Sequence, residues 1–505
     1  MRQAIPKMAT AGSVNTFTSV PTRAADVSRL FRSRRTVVQS KIGASGYFFS
    51  ATKLRLLHCR TAVAALRNEL SSRKFTDSSQ GVQFGGEEFV TRLLARRWAL
   101  DKPDTKINKV MFSTTDINLH DFPASHLYLG VDTDTCISND VSATDYSEQS
   151  FYVVRDDLLH PLINGNKARK LDGVLPLIED NSVTDVVTCG GCQSAHAAAT
   201  AVLCAERGLR SHLLLRGEQP EFLTGYNLMS TIYGNVTYVP RSIYANREKM
   251  LKSQADLVAG SSGSILWFDD IFPSSPRKQS CSTTNSGQID YDVHRMARKH
   301  GRRVIVINEG AGDAIALLGL IRLVEYLSQD HLLGKQRVVK FVVDAGTGTT
   351  AIGLGLGALC LGLPWDVTAV MLADRIDGYK RQEKRLISEF RKHFGAPVDL
   401  GKDEEVNGGI VNWVERFRPR KFGNVVDGEV EMCRQIAQET GILVDPIYTL
   451  AAWEMATSLS QKGTKTNADL VVLLHTGGTL GMFGLAQRYK SYFNYLKNVF
   501  PNQRW

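Results

Sequence analysis

Three glycine-containing loops in this chain each follow a run of Val, Ile and Leu and precede an apolar helical pattern. They are CGGCQSAH at 189–196, DAGTGTTAIG at 344–353 and HTGGTLG at 475–481. Continuous apolar strands that alternate with helices require a parallel sheet covered on both faces. In such sheets the ligand crevice lies at the carboxyl ends of the strands, where these loops fall. The pattern therefore predicts an α/β fold of open, twisted parallel sheets with a site built from the loops.

The loop at 346–350, Gly-Thr-Gly-Thr-Thr, is the best anion-binding candidate of the three. It adds three hydroxyl groups to the free backbone N–H groups of a helix start. It is not a Walker loop, because no Gly-Lys-Ser/Thr follows, and it lacks the spacing of a dinucleotide-binding fingerprint. Glycine-rich turns are common for backbone reasons alone, so one such loop carries little weight by itself.

Two lysines, Lys167 and Lys170, follow a Gly-Asn pair at a predicted helix start. Helix starts favour anions, so lysines there either point into solvent or hold something negative. A solvated basic first turn is the simpler interpretation of this segment alone. Beside three glycine loops, however, the pair suits pyridoxal 5′-phosphate, which brings one phosphate and an aldehyde that condenses with a lysine amine.

Five segments resemble, in order, the D-cysteine desulfhydrase and 1-aminocyclopropane-1-carboxylate deaminase family of tryptophan-synthase-β-like pyridoxal-phosphate enzymes. They are RDDLLHPLINGNKARKL, GGCQSAHAAATAV, DAGTGTTAIGLGLG, DPIYTLAA and HTGG. The resemblance implies two sheet domains with the cofactor in the cleft between them. We expect a large domain over 61–183 and 316–505, and a small domain over 184–315. It also implies an amino-acid substrate and a homodimer.

The resemblance assigns roles to individual residues. Lys167 falls on the lysine that binds the aldehyde, and Lys170 on a phosphate contact. Ser194 falls on the serine that receives the substrate carboxylate, next to Gln193 in the same substrate-binding loop, and Tyr448 on the active-site tyrosine. The phosphate loop falls on Thr347, Gly348, Thr349 and Thr350.

Three positions separate the branches of the family. Ring-opening deaminases carry Glu after the active-site tyrosine, Leu before the last Gly-Gly and a second tyrosine, where this chain has Thr449, Thr476 and Phe422. We expect both threonines near the cofactor and Phe422 near the substrate. The resemblance thus implies α,β-elimination of D-cysteine to pyruvate, ammonia and hydrogen sulfide, with Lys167 or Tyr448 as the base. A ring-opening deaminase, or another lyase for β-substituted amino acids, is the alternative.

One position departs from the family pattern. Ala195 stands where the family has an asparagine that bonds the cofactor's ring hydroxyl, a group that is costly to leave unpaired. His196 or a water could replace that amide. A non-catalytic relative that binds the cofactor or an amino acid is therefore a second class of function, although Lys167, Ser194 and Tyr448 together favour an enzyme.

The charge of the chain is concentrated at its N-terminus. Residues 1–60 carry eleven Lys and Arg and a single acid, Asp26, which accounts for the whole net charge of +10. The neutral remainder argues against nucleic acid as a partner. A basic, Ser-rich segment poor in acids is typical of an organelle transit peptide, so we expect a mitochondrial protein, with the chloroplast as the alternative. No apolar run is long enough to span a membrane.

The Cys189-Gly-Gly-Cys192 motif lies at a strand-to-helix turn, where a redox-active thiol could be placed. Two small residues in a tight turn are the simpler interpretation, and no second pair at ligand spacing points to a metal. Polar insertions are predicted at 129–149 and 273–292.

Overall fold

The computed structural model describes residues 83–112, 127–129, 149–163, 165–271, 301–395, 409–462, 469–494 and 496. The predicted transit segment 1–60 lies outside them, as do residues 130–148 and 273–292 of the two predicted insertions. Residues Ser78–Trp505 pack as one compact unit. The division into a large and a small domain therefore stays a prediction.

Two sheets and their covering helices make up the described part of the chain. The strands are β1 (Ile107–Phe112), β2 (Leu127–Leu129), β3 (Ser150–Val154), β4 (Asp185–Gly191), β5 (Arg210–Arg216), β6 (Asn235–Val239), β7 (Ser264–Leu266), β8 (Arg303–Val306), β9 (Val339–Ala345), β10 (Trp365–Met371), β11 (Asn412–Glu415) and β12 (Leu470–Leu474).

The helices alternate with these strands along most of the chain. They are α1 (Gln83–Leu94), α2 (Asn166–Asp172), α3 (Val174–Asp180), α4 (Ala195–Glu206), α5 (Gly225–Tyr233), α6 (Arg241–Tyr244), α7 (Arg247–Ala259), α8 (Phe268–Ile271), α9 (Leu317–Leu327), α10 (Thr349–Cys360), α11 (Ile376–Phe394), α12 (Glu429–Thr440), α13 (Thr449–Lys462), α14 (Gly481–Arg488) and α15 (Lys490–Asn494).

The first sheet has the order β11-β10-β9-β12-β3-β1-β2 within the described ranges. From β11 to β3 the strands are parallel, which confirms the predicted α/β class. At the other edge β1 is antiparallel to both β2 and β3. The predicted strand–loop–helix pattern does not extend to β1 and β2. A parallel pair needs a crossover, usually helical, and the polar sequence between β1 and β3 shows no apolar helical pattern.

The second sheet is parallel throughout, in the order β6-β5-β4-β8-β7. Its central strand β4 is buried along most of its length because helices cover both faces. The strand runs directly into the turn that starts α4, as the Ala-rich pattern predicts. The chain leaves α4 through Gly208, whose φ of 67° suits glycine.

Close packing of α9 against α10 fixes the helix that follows the 346–350 loop. A Cβ added at Gly353 would lie 2.5 Å from Leu320 Cδ1, and one added at Gly357 would lie 2.9 Å from Val324 Cβ. Glycines on this face let the two helices approach. The glycine- and leucine-rich helix is therefore buried packing, as the sequence indicates.

The glycine loops meet where β9, β12 and β3 end in one sheet and β4 and β8 end in the other. In the first sheet the chain crosses from β9 to β10 on one side, while β12 lies on the other side. A reversal of this kind opens a crevice at the carboxyl ends of the strands.

Candidate active site

Gly165 brings the lysine segment against the loop that follows β12. Its φ is 72°, and an added Cβ would lie 1.7 Å from the carbonyl oxygen of Thr476, so no other residue fits. The next residue, Asn166, donates its backbone N–H to the same carbonyl at 3.2 Å. Helix α2 starts there, so Lys167 lies in its first turn.

The side chain of Asn166 ties this segment to the predicted phosphate loop. Its Nδ2 donates to Thr350 Oγ1 at 2.8 Å, and both residues are buried. A single hydrogen bond therefore joins the residue before Lys167 to the first turn of α10. The structure brings together two motifs that are 184 positions apart in the chain.

The two lysines are neighbours, with Lys170 buried and Lys167 half-buried. Burial lowers the pKa of Lys167, while the nearby carboxyl of Asp344 acts in the opposite direction. Lys170 is 1% exposed and donates from Nζ to the carbonyl oxygen of Gly310 at 3.1 Å. Burial, and then the charge of Lys167, hold the pKa of Lys170 well below its usual range. The solvated first turn is thereby excluded for Lys170, and its phosphate contact stays a prediction.

The 346–350 loop is shaped by Gly348, which has a φ of 81° and precedes α10. A Cβ there would lie 3.0 Å from both Trp413 and Tyr379. The Tyr379 hydroxyl donates to the carbonyl oxygens of Ala345 and Gly346. These contacts anchor the start of the loop. The hydroxyls of the loop stand close together, with 3.1 Å between Thr347 Oγ1 and Thr349 Oγ1.

Ser194 caps α4, with its Oγ accepting the backbone N–H of Ala197 at 3.2 Å. Gln193 uses both ends of its amide to hold the start of α5. Its Nε2 donates to the Thr224 carbonyl, and its Oε1 accepts the Tyr226 N–H, each at 3.0 Å. Gln193 thus holds the turn in place, and its predicted contact with substrate is untested.

Tyr448 stands opposite these loops. An added Cβ at Gly346 would lie 3.3 Å from its ring, and Phe422 packs against it edge-on at 5.6 Å between ring centroids. Burial and the negative charge of Asp445 raise the pKa of the Tyr448 hydroxyl. The hydroxyl therefore stays protonated at neutral pH.

The two threonines that separate the family branches both bind buried carboxylates. Thr449 Oγ1 donates to Asp445 Oδ2 at 2.9 Å, and Thr476 Oγ1 donates to Asp344 Oδ1. Burial raises the pKa of Asp344 to about 6. Direct contact of either threonine with a cofactor stays a prediction.

Sequence reasoning missed three residues of this site. Asp344 is the penultimate residue of β9. Asp445 accepts the backbone N–H groups of Ile447 and Tyr448 at 2.9 Å, and Tyr226 packs its ring near Gly481. An acid at the end of a buried strand was the available signal for Asp344. Tyr226 offered none, because its partners come from a distant part of the chain.

Burial disfavours the thiolate form of both cysteines in the Cys189-Gly-Gly-Cys192 motif. Burial raises the pKa of the Cys189 thiol to about 12 and also raises that of Cys192. A reactive thiol needs a lowered pKa. No cluster of three or more metal-binding side chains occurs in the described part of the chain. Among the described helices, none has the length and apolar composition that crossing a bilayer requires.

A lysine beside a threonine-rich helix start, where strands of two sheets end, is the arrangement expected of a pyridoxal-phosphate-dependent lyase of the α/β class. A rice protein (Oryza sativa subsp. japonica), provisionally named mitochondrial D-cysteine desulfhydrase 2, is 51% identical over 411 residues, which cover 81% of this chain and 96% of the relative. The chain therefore belongs to the D-cysteine desulfhydrase and 1-aminocyclopropane-1-carboxylate deaminase family. No protein-family model matches it.

Two more distant relatives carry names from the same family. A Thermotoga maritima protein, provisionally named a 1-aminocyclopropane-1-carboxylate deaminase, is 28% identical over 67% of this chain and 92% of its own length. An Arabidopsis thaliana mitochondrial protein, named as bifunctional for both activities, is 23% identical over 66% of this chain and 73% of its own. The names of the two plant proteins confirm the predicted mitochondrial location.

A solved structure of a deaminase homologue confirms the fold. Its TM-score is 0.51 at 24% identity, and the match covers 68% of this chain and 89% of that one.

Proposed function

We propose that the protein is a D-cysteine desulfhydrase that uses pyridoxal 5′-phosphate to form pyruvate, ammonia and hydrogen sulfide. The bond between Asn166 and Thr350 carries the proposal, because it holds the half-buried Lys167 next to the predicted anion-binding loop. The side chains present fit this cofactor. Lys167 supplies an amine with a lowered pKa, and Thr347, Thr349 and Thr350 supply hydroxyls beside a helix start.

When bound, the cofactor supplies an aldehyde that condenses with an amine and a ring that accepts the electron pair of a carbanion. We propose that the protein itself contributes by positioning the reacting groups. Lys167 would hold the aldehyde, and its Nζ would take the proton from the substrate Cα. Ser194, with the N–H groups at the start of α4, holds the substrate carboxylate.

Tyr448 completes the proposed elimination. Because its hydroxyl stays protonated, it can donate a proton to the sulfur as the Cβ–S bond breaks. Lys167 is then the base, and Tyr448 is the acid. Both groups lie on elements held by buried contacts, so the chemistry depends on their fixed placement.

Ring opening of 1-aminocyclopropane-1-carboxylate is the second candidate, because the Thermotoga relative carries that name. Three residues favour elimination in this chain. Thr449 is buried, donates its hydroxyl to Asp445 and has no carboxylate of its own. The hydroxyl of Thr476 donates to Asp344. Phe422 offers no hydroxyl beside Tyr448.

The test is a turnover assay with the full chain and added cofactor. We expect pyruvate and sulfide from D-cysteine, less of both from L-cysteine, and less ammonia from the cyclopropane substrate. Lys167→Ala should lose both turnover and the visible absorption of the bound cofactor. Greater ring-opening activity would contradict the assignment. Cofactor binding without turnover of any β-substituted amino acid would favour the non-catalytic relative. Light scattering of the same sample checks the proposed homodimer.

A further inference from the structure

His196 lies in the first turn of α4 and is 2% exposed. Its Nε2 is 2.9 Å from the hydroxyl of Thr188 in β4. The same hydroxyl lies 2.8 Å from the carbonyl oxygen of Ile307, at the end of β8. One side of the imidazole is therefore fixed to the centre of the second sheet.

The other ring nitrogen, Nδ1, is buried and has no hydrogen-bond partner among the described residues. A buried polar atom left unpaired is costly, and such an atom in a native protein calls for an explanation. Burial, reinforced by the charges of Lys167 and Lys170, holds the pKa of His196 well below its usual range. The ring is therefore neutral. Repulsion between a charged imidazole and the two lysines does not explain why Nδ1 lacks a partner.

The surroundings of His196 belong to the proposed cofactor site. Ile307 starts the loop whose Gly310 carbonyl accepts the amine of Lys170 at 3.1 Å. Gly310 in turn packs against Thr347 of the predicted phosphate loop, since a Cβ added at Gly310 would be 2.9 Å from Thr347 Cγ2. The imidazole, the second lysine and the threonine loop thus converge on the segment 307–310.

We propose that His196 Nδ1 is a direct hydrogen-bonding contact for a polar atom of the bound pyridoxal phosphate ring. This inference rests on the proposed function. Thr188 sets the direction of the contact. Its hydroxyl donates to the Ile307 carbonyl, so Nε2 carries the ring hydrogen and Nδ1 accepts from a protonated polar atom of the cofactor ring. The preceding side chain, Ala195, offers no polar group.

A matched pair of variants separates the two nitrogens. An asparagine amide lies near the position of Nδ1, whereas a glutamine amide reaches the position of Nε2. His196→Asn therefore keeps the proposed contact and loses Thr188, and His196→Gln does the reverse. The apo-protein of each is titrated with pyridoxal phosphate, and the dissociation constant and visible absorption maximum are recorded. Thermal unfolding of each apo-protein shows whether the variant is folded.

We expect His196→Gln to weaken cofactor binding by about tenfold and to shift the absorption maximum. His196→Asn should stay within about threefold of the wild type with the maximum unmoved. Equal binding and spectra for wild type and His196→Gln would overturn the inference, as would equal losses in both variants. A wild-type protein that binds no cofactor would instead refute the proposed function, so the two failures are distinguishable.

Discussion

At the scale of single residues, the sequence indicates the proposed ligand contacts but not the buried carboxylates beside them. Lys167, Ser194 and Tyr448 lie in short segments with recognisable neighbours. Asp344 and Asp445 are ordinary aspartates in the sequence. Only the fold shows that both are buried and that Thr476 and Thr449 donate to them. Burial comes from distant parts of the chain, which no local pattern records.

Asp344 makes stability depend on pH. Its pKa is about 6 in the folded protein, against an ordinary value of 3.8. Between these values the folded state binds more protons than the unfolded state, so its contribution to the free energy of unfolding falls as pH rises. Asp344→Asn removes this term. Relative to wild type, the variant should gain about 2 kcal/mol between pH 4 and pH 7.

Urea denaturation of both apo-proteins across that pH range measures the difference. Asp469→Asn is the control, because Asp469 pairs with Lys340 at a partly exposed position just before β12. Its stability relative to wild type should hardly change with pH. A parallel pH dependence for wild type and Asp344→Asn would mean that Asp344 is ionised in the fold throughout this range.

At the scale of elements, the strand–loop–helix units were predictable because each is encoded within about thirty residues. The antiparallel edge formed by β1 and β2 was not. Its pairing depends on where β3 lies in the sheet. The same limit applies to the hydrogen bond from Asn166 to Thr350. It joins two well-predicted motifs, and the sequence does not show that they touch.

Helix α10 offers a test of the phosphate loop, because glycines with positive φ lie at both of its ends. At Gly348, with φ 81°, a Cβ would press on Trp413 and Tyr379, whereas at Gly362, with φ 63°, it would meet nothing within 4 Å. Both alanine variants carry backbone strain of about 1 kcal/mol. Only Gly348→Ala also distorts the loop, so we expect it to weaken cofactor binding by about tenfold or more.

Cofactor titration and thermal unfolding of the two variants measure these effects. Gly362→Ala should lower stability slightly and leave the dissociation constant unchanged. If the two variants lost cofactor affinity equally, the loop before α10 would not be the phosphate site.

A buried cluster of charged side chains holds the backbone just before Tyr448. Glu429, at the start of α12, is fully buried and pairs with Arg416 at 3.0 Å and with Arg420. Both arginines also donate to the carbonyl oxygen of Pro446. Glu429→Gln removes the carboxylate that pairs directly with two largely buried cations, which should cost about 3 kcal/mol of stability. Turnover should fall as well, because the backbone before Tyr448 loses its support.

A surface pair on the same helix provides the control. Glu431 pairs with Arg434 at an exposed position, so Glu431→Gln should cost less than about 0.5 kcal/mol. Denaturation midpoints and D-cysteine turnover are compared for the two variants. Equal small losses would show that water reaches the cluster and screens it.

At the scale of the whole molecule, charge and chemistry are separated along the chain. Residues 1–60 hold the entire net charge of +10, and the remaining 445 residues are neutral. Every residue of the candidate site falls between positions 165 and 478. Composition alone was enough to separate these two parts, because targeting depends on composition, whereas catalysis depends on the arrangement of a few side chains.

The first sixty residues should therefore act alone as an import signal. Fused to a fluorescent protein in plant cells, residues 1–60 should direct it to mitochondria, and residues 61–120 should not. Replacement of Arg29, Arg32, Arg34 and Arg35 by glutamine removes four of the eleven positive charges and should leave the fusion in the cytosol. Import into chloroplasts, or unchanged import of the glutamine variant, would show that the concentrated charge is not the mitochondrial signal.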